Sequence, residues 1–451
     1  MIEINLKELS GHDKSATVGK ILVSENQKIK AGDILFNAES SKGNVKVKSE
    51  YDGTILKVLI KEGEEVKIGD AIFQIHGEKS NVKAENTKTE KKSSYSFGIA
   101  KPKKEDVQCD IAIIGGGPGG YVAAIRAAQL GAKVTLIEKD RLGGTCLNYG
   151  CIPTKSFVKS AHLLDEIKHA EQFGILVDEP KADMAKIVDR KDEVVSTLVG
   201  GIQYLLESWN IKYINGEAKL EGEAIVVKNK KVDATIQAKN IILAVGSTAV
   251  KLNIPGADLE KVLTNKEILE LKEIPQALTI IGGGIIGMEF AFIFDALGSK
   301  VTVIEYMDTT LCTLDDDIIE VIQLECDQRN IKYFCSAKAG SILETDSGKL
   351  ITEFEKDEKR QYTIGDYVLM SVGRRANLDS VELEALNIEL NERKNGIKVN
   401  NQMKTTNNKF YAIGDVTNII QLAHVASHQG IVAVENILGQ NIEMKYEAIP
   451  S

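Results

Sequence analysis

"CDIAIIGGGPGGYVAAIRAAQLGAKVTLIEKD", residues 109–140, reads as one supersecondary unit: an apolar strand, a glycine turn, a helix with small residues on one face, and a second strand ending in an acid. Gly115, Gly117 and Gly120 form G-x-G-x-x-G. The first glycine permits the tight turn, the second lets backbone approach a pyrophosphate, and the third lets helix and strand pack closely. The helix N-terminus then offers unpaired amide N–H groups and a positive dipole end to the phosphates. Glu138, 18 residues after the last glycine, is placed for ribose hydroxyls. A second copy has its glycines 167 residues later, in "ALTIIGGGIIGMEFAFIFDALGSKVTVIEYMD" at residues 277–308, with Gly282, Gly284, Gly287 and Glu305. Two such units imply two bound dinucleotides. Tyr306, Met307 and Asp308 follow Glu305 without an arginine, which favours NAD over NADP.

Around these copies, apolar strand runs alternate with helical ones from residue 107 to the C-terminus, with one β-rich interruption, which predicts an α/β fold with two Rossmann-like domains. The first 76 residues differ. "ENQKIKAGDILFN" from Glu25 recurs as "EGEEVKIGDAIFQ" from Glu62, an offset of 37 that superposes Gly32-Asp33 on Gly69-Asp70 and Phe36 on Phe73. Alternation and Gly-Asp turns predict a small all-β module of two similar halves, with Lys42 at a tight hairpin between them. Residues 77–106 are rich in Lys, Glu, Ser and Asn and poor in large apolar groups, the composition of a mobile linker. Across 451 residues, 43% apolar and 27% charged residues with a net charge of −9 fit a globular protein without a polyanion footprint. No leader-like segment and no run of eighteen apolar residues occurs, so the expected setting is cytoplasmic, with neither nucleic acid nor membrane as partner.

"GGTCLNYGCIPTK", residues 143–155, begins five residues after Glu138. Cys146 and Cys151 precede a helical pattern, which places the pair at or near a helix N-terminus, where the dipole and nearby cations lower a thiol pKa from about 8.5. For a metal site, no second Cys or His pair at ligand spacing lies near enough to complete a four-ligand shell. A redox pair and two structural thiols both stay open on the residues alone. Cys109, Cys312, Cys326 and Cys335 lack a partner at a motif spacing and are expected to be buried or half-buried thiols.

The run "IGGGPGGYVAAIRAAQLG", continued by "IEKDRLGGTCLNYGCIPTK", resembles the FAD-dependent pyridine nucleotide-disulfide oxidoreductases, and among them the dihydrolipoamide dehydrogenases, over residues 107–451. The resemblance implies FAD at Gly115, Gly117, Gly120 and Glu138, and NAD at Gly282, Gly284, Gly287 and Glu305. It implies a redox disulfide in which Cys151 faces the flavin and Cys146 exchanges with substrate, with Lys155 beside flavin N5 and Glu289 as its ion-pair partner. "NIILAVGS", with Ala244 and Gly246, and "SVGRRAN", with Gly373 and Arg374, resemble the crossings between the two domains. The implied division is FAD at 107–246 and 373–451, and NAD at 247–372. "TTNNKFYAIGDV" resembles a second FAD motif in which Asp415 would bind the ribitol chain, and Gln429 stands where a Glu is expected. The implied activity oxidises dihydrolipoyl groups through the disulfide and FAD, with NAD as hydride acceptor.

Lys42 in "ESSKG" resembles the lipoyl-lysine turn of 2-oxo acid dehydrogenase complexes, whereas a biotin acceptor would be flanked by methionine rather than Ser41 and Gly43. The implied partner is a dihydrolipoyl-bearing acyltransferase or carrier protein of a multienzyme complex. The homodimeric family continues past "YEAIPS" into an interface domain that supplies a His-Glu pair. Among His12, His76, His162, His169, His424 and His428 none stands in a His-Pro motif followed by Glu, so that domain is expected to be absent and dithiol turnover impaired. Two other readings remain: a different disulfide reductase, which would typically prefer NADP and lack a lipoyl module, and a carrier or assembly subunit whose flavin half is structural.

Overall fold

The computed structural model describes residues 2–6, 15–25, 27–30, 33–40, 43–49, 51–79, 103–222, 224–229 and 232–450. The chain divides into two compact units, residues 1–98 and 99–451.

The first unit contains β1 (Ile2–Asn5), β2 (Ser15–Ile21), β3 (Lys28–Ile29), β4 (Ile34–Ser40), β5 (Gly43–Lys48), β6 (Tyr51–Val58), β7 (Glu65–Lys67) and β8 (Ala71–Lys79). They form two four-stranded sheets, β1-β8-β6-β3 and β5-β4-β2-β7. Advancing every strand by four positions converts one order into the other, which is the twofold predicted from the repeat. Side chains obey the same exchange. Asp33 accepts from the Lys30 amide at 2.7 Å and Asp70 from the Lys67 amide at 2.8 Å. Glu25 accepts from the Val58 amide in the second half, and Glu62 from the Ile21 amide in the first. Phe36 and Phe73 meet in the core with ring centroids 6.2 Å apart. Ser40 pairs with Gly43 across the β4–β5 hairpin. Lys42, between them, lies outside the described residues. So do residues 80–102 of the expected linker, whose outer ends at 77–79 and 103–106 belong to strands.

In the second unit the chain runs through β9 (Lys103–Ile114), α1 (Pro118–Gln129), β10 (Val134–Glu138), α2 (Gly144–Tyr149), α3 (Cys151–Lys168), α4 (Met184–Ser208), β11 (Lys212–Asn215), β12 (Ala218–Glu221), β13 (Ala224–Lys228) and β14 (Val232–Leu243). It leaves through β15 (Ser247–Ala249) into β16 (Val262–Leu263), α5 (Asn265–Ile268), β17 (Ala277–Ile281), α6 (Ile285–Leu297), β18 (Lys300–Ile304), α7 (Asp316–Arg329) and β19 (Lys332–Phe334). A meander of β20 (Lys338–Glu344), β21 (Leu350–Lys356) and β22 (Lys359–Gly365) precedes β23 (Tyr367–Met370); β24 (Arg374–Ala376), β25 (Phe410–Ala412) and α8 (Ala423–Ile437) complete the order.

Both dinucleotide units contain the same parallel strand order. One is β11-β10-β9-β14-β25, whose β14 also pairs on that edge with the antiparallel β13-β12 hairpin; the other is β19-β18-β17-β23-β16. The order reverses beside β9 and beside β17, and at those switch points ligands bind beyond the carboxyl ends of the strands. Central strands read as unbroken apolar runs because both faces are covered, one by helices and the other by strand and loop segments. α3 repeats apolar residues at Phe157, Ala161 and Leu164, and this stripe packs into one core with Ile280, Phe290 and Phe294 of the second sheet's layers. The cysteine-bearing helix is therefore shared by the two halves.

Candidate active site

The glycine loops follow their physics. Gly115 has φ +112°, and a Cβ there would stand 2.2 Å from the Ala244 carbonyl oxygen. A Cβ on Gly120 would meet the Gly115 oxygen at 1.8 Å, and one on Gly287 the Gly282 oxygen at 2.0 Å. The middle glycines differ: a Cβ on Gly284 would meet nothing within 4 Å, and one on Gly117 only Gly144 Cα at 3.8 Å. Neither α1 nor α6 has a side-chain cap. These open faces beside uncapped helix N-termini fit dinucleotide pyrophosphates. Glu138 accepts from the Gly116 amide at 2.6 Å and the Asp140 amide at 2.7 Å; Glu305 accepts from Gly283 at 2.5 Å and Met307 at 2.7 Å. A carboxylate has about four lone-pair positions, so each acid keeps capacity for ribose hydroxyls.

Sequence reasoning missed a second tie on each loop. The Gly143 amide, at φ +96°, donates to the Gly116 oxygen at 2.8 Å, and the Leu311 amide donates to the Gly283 oxygen at 2.9 Å. Gly143-Gly144 was a visible signal, since a Cβ on Gly144 would stand 2.6 Å from Gly117 Cα. Leu311, also left-handed, offered none.

The crossings meet as β15 against β24, antiparallel. Gly246 and Gly373 both take positive φ there; the Gly246 oxygen accepts from the Asn377 amide and the Gly373 oxygen from the Val250 amide, each at 3.0 Å. Asp415 accepts a hydrogen bond from the Ser247 hydroxyl at 2.5 Å. Gln429 is fully buried: its oxygen accepts from the Gly414 amide at 2.6 Å and its nitrogen donates to the Tyr446 hydroxyl at 2.9 Å.

Cys146 lies within α2 and Cys151 opens α3. Both are free thiols, Cys146 half-buried and Cys151 exposed, and each is close enough to shift the other's titration. The Cys146 thiol beside it, aided by Lys155, holds the Cys151 thiol down to about 7 against partial desolvation and the Glu289 charge. The Cys151 neighbour and burial together push the Cys146 thiol up. Lys155, one turn into α3, forms an ion pair with Glu289 of α6. The structure thus brings Cys146, Cys151, Lys155 and Glu289 together from α2, α3 and α6. Of the other thiols, Cys109 and Cys326 are buried and Cys335 half-buried, but Cys312 is exposed, contrary to expectation. It sits between β18 and α7, where the buried Leu311 takes the inward position beside it. Among the described residues, no group of three or more His, Cys, Asp or Glu could hold a metal ion, and no helix is long and apolar enough to cross a membrane.

Residues 109–430 match the family described as pyridine nucleotide-disulphide oxidoreductase, and residues 3–75 the biotin/lipoyl family described as biotin-requiring enzyme. The chain is similar to the dihydrolipoyl dehydrogenase of Bacillus subtilis (strain 168), 40% identical over 344 residues, covering 75% of this chain and 74% of that one. It is also similar to the dihydrolipoyl dehydrogenase of Acholeplasma laidlawii, 45% identical over 334 residues, covering 73% and 96%. Among solved structures, the Cu(II) complex of the HOCl-induced flavoprotein disulfide reductase RclA from Escherichia coli aligns with a TM-score of 0.65 at 28% identity, covering 74% of this chain and 71% of that one. Open glycine loops, paired acids and adjoining thiols meet that family's chemistry: the chain belongs to the pyridine nucleotide-disulphide oxidoreductases, with FAD and NAD as cofactors, and carries an N-terminal lipoyl-type module.

Proposed function

We propose that the chain is a dihydrolipoyl dehydrogenase that carries its own lipoyl domain and serves a cytoplasmic 2-oxo acid dehydrogenase or related complex. The observation that carries this reading is the meeting of Cys146 of α2 and Cys151 of α3 with the Lys155–Glu289 ion pair. The Lys155 charge favours a thiolate at Cys151, so a dihydrolipoyl thiolate attacks Cys146 of the oxidised pair and displaces the Cys151 thiolate. The second lipoyl thiol then attacks the lipoyl sulfur of the mixed disulfide and releases Cys146, which takes up a proton. One lipoyl disulfide forms, one protein disulfide breaks, and two electrons rest on the cysteine pair. FAD held by the first glycine loop would supply a two-electron acceptor for the reduced pair, with NAD at the second loop as the final hydride acceptor. Lys155 supports the Cys151 thiolate, and Glu289 holds the lysine head in place. Gly115, Gly117, Gly120, Glu138, Gly246, Gly373 and Asp415 bind FAD in this reading, and Gly282, Gly284, Gly287 and Glu305 bind NAD. Lys42 carries the lipoyl group, as its place between the paired ends of β4 and β5 supports.

Anaerobic titration of the flavin-loaded chain with NADH, then with dihydrolipoamide, tests the proposal. The expected result is a long-wavelength charge-transfer band from either reductant. A flavin that dihydrolipoamide leaves oxidised but a dithiol of another class reduces would reassign the substrate to that class.

A further inference from the structure

Arg374 and Ser247 lie on β24 and β15, the two strands that carry the chain back to the flavin half and out of it. Arg374 Nε donates to Ser247 Oγ at 2.8 Å, and Nη2 donates to the Ser247 carbonyl oxygen at 2.7 Å. Ser247, itself buried, donates from Oγ to Asp415 Oδ2 at 2.5 Å. The directions are forced. A guanidinium has only donors, so the serine hydroxyl must accept from it and turn its single proton toward the carboxylate. Asp415 Oδ1 has no partner among the described residues. The backbone of this turn is fixed separately, by Gln429 holding the Gly414 amide and by the Asn418 amide donating to the Asp415 carbonyl at 3.0 Å. Burial lowers the Arg374 pKa, and the charges of Asp415 and Cys151 oppose that. The cation is thus held between the cofactor-side acid and the reactive thiol.

We propose that Arg374 is a positioning residue of the flavin site: through the Ser247 hydroxyl it locks the Asp415 carboxylate, leaving Oδ1 to accept a cofactor hydroxyl. Without the guanidinium the serine rotor is free, and the carboxylate loses the partner that orders it before the cofactor arrives. A lysine can donate to the hydroxyl but cannot also hold the carbonyl in a rigid fork. The tie joins the ladder linking the two dinucleotide halves to the acid assigned to the ribitol chain, and it rests on the flavin reading above.

The test uses the full chain, stripped of FAD in chaotropic salt and titrated with FAD while flavin fluorescence is followed. Ser247→Ala and Arg374→Gln should each weaken FAD binding by about tenfold to a hundredfold, as for one lost charge-assisted hydrogen bond. In the double variant the two losses should not add, because one relay has been cut twice. Arg374→Lys should recover part of the affinity, a rescue that a purely structural role of the arginine would not give. Undiminished affinity in Ser247→Ala, or fully additive losses, overturns the inference. Should Arg374→Gln fail to fold, Ser247→Ala decides alone, since it removes a single oxygen. Absence of FAD uptake by the unmodified chain overturns the flavin reading itself, and the inference with it.

Discussion

At the residue scale, the two cysteines share one proton unequally. The Cys151 thiol is held at about 7, so its thiolate is present above that pH and is lost as pH falls through it. In the two-electron-reduced, flavin-loaded chain, the long-wavelength band should therefore rise with pH around a midpoint near 7. Cys151→Ser should abolish the band while FAD stays bound, and a surviving band would move the flavin-facing role to Cys146. Much of this site was legible in the sequence, because glycine spacing, terminal acids and paired cysteines are local patterns. What was not legible depends on long-range approach. Ser247 and Arg374 are 127 residues apart, and their contact exists only once β15 lies beside β24. Gln429, noted only as a departure from the family pattern, is a fully satisfied buried amide whose partners come from two other segments. Lys155 with Glu289 was expected by resemblance alone; no residue spacing joins positions 134 apart.

At the element scale, α3 is tied to the NAD half at both ends. Its first turn holds Lys155 against Glu289. Its last turns hold Asp165 against Arg329 at 2.9 Å and Lys168 against the Ala296 carbonyl at 2.9 Å. Arg329 also reaches Asp295 at 3.6 Å and Glu325 at 2.5 Å. The guanidinium holds the Asp165 carboxyl below its ordinary value of 3.8, while burial pushes Asp295 up. A depressed carboxyl stabilises the fold above its unfolded pKa, and that contribution is lost as pH falls through the folded one. Arg329→Gln should cost about 1–3 kcal/mol at neutral pH by leaving half-buried carboxylates without their cation. The deficit should shrink below about pH 4, where Asp165 protonates in the unfolded chain. Thermal melts at pH 7 and pH 3.5 check this, and an equal deficit at both would mean that Arg329 acts through packing. The α/β alternation was readable from strand and helix periods. That α2 would be a helix in its own right was not, since six residues give too short a window for a period.

At the scale of the whole molecule, the repeat of 37 residues was plain in the sequence, and its strand-for-strand exchange between two sheets is the physical form that the repeat takes. Tethering a lipoyl carrier to a reductase would raise the local substrate concentration toward the millimolar range, given a linker of sufficient reach. Lys42→Arg should remove any lipoyl mass increment from the intact chain. Retention of that increment would move the attachment elsewhere.

The two parallel sheets differ in where they obtain their fifth strand. The NAD sheet draws β16 from just before its own glycine loop, so all its strands lie within residues 262–370. The flavin sheet draws β25 from Phe410–Ala412, and α8 from farther still. During synthesis, where the chain leaves the ribosome N-terminus first, the flavin half begins earlier but closes later. The Ile241–Leu243 end of its β14 edge must wait for β25 until the whole NAD half has been made. Ribosomes stalled before residue 410 would display a completed NAD sheet beside an open flavin sheet, so FAD capture is a late event in the life of each new chain.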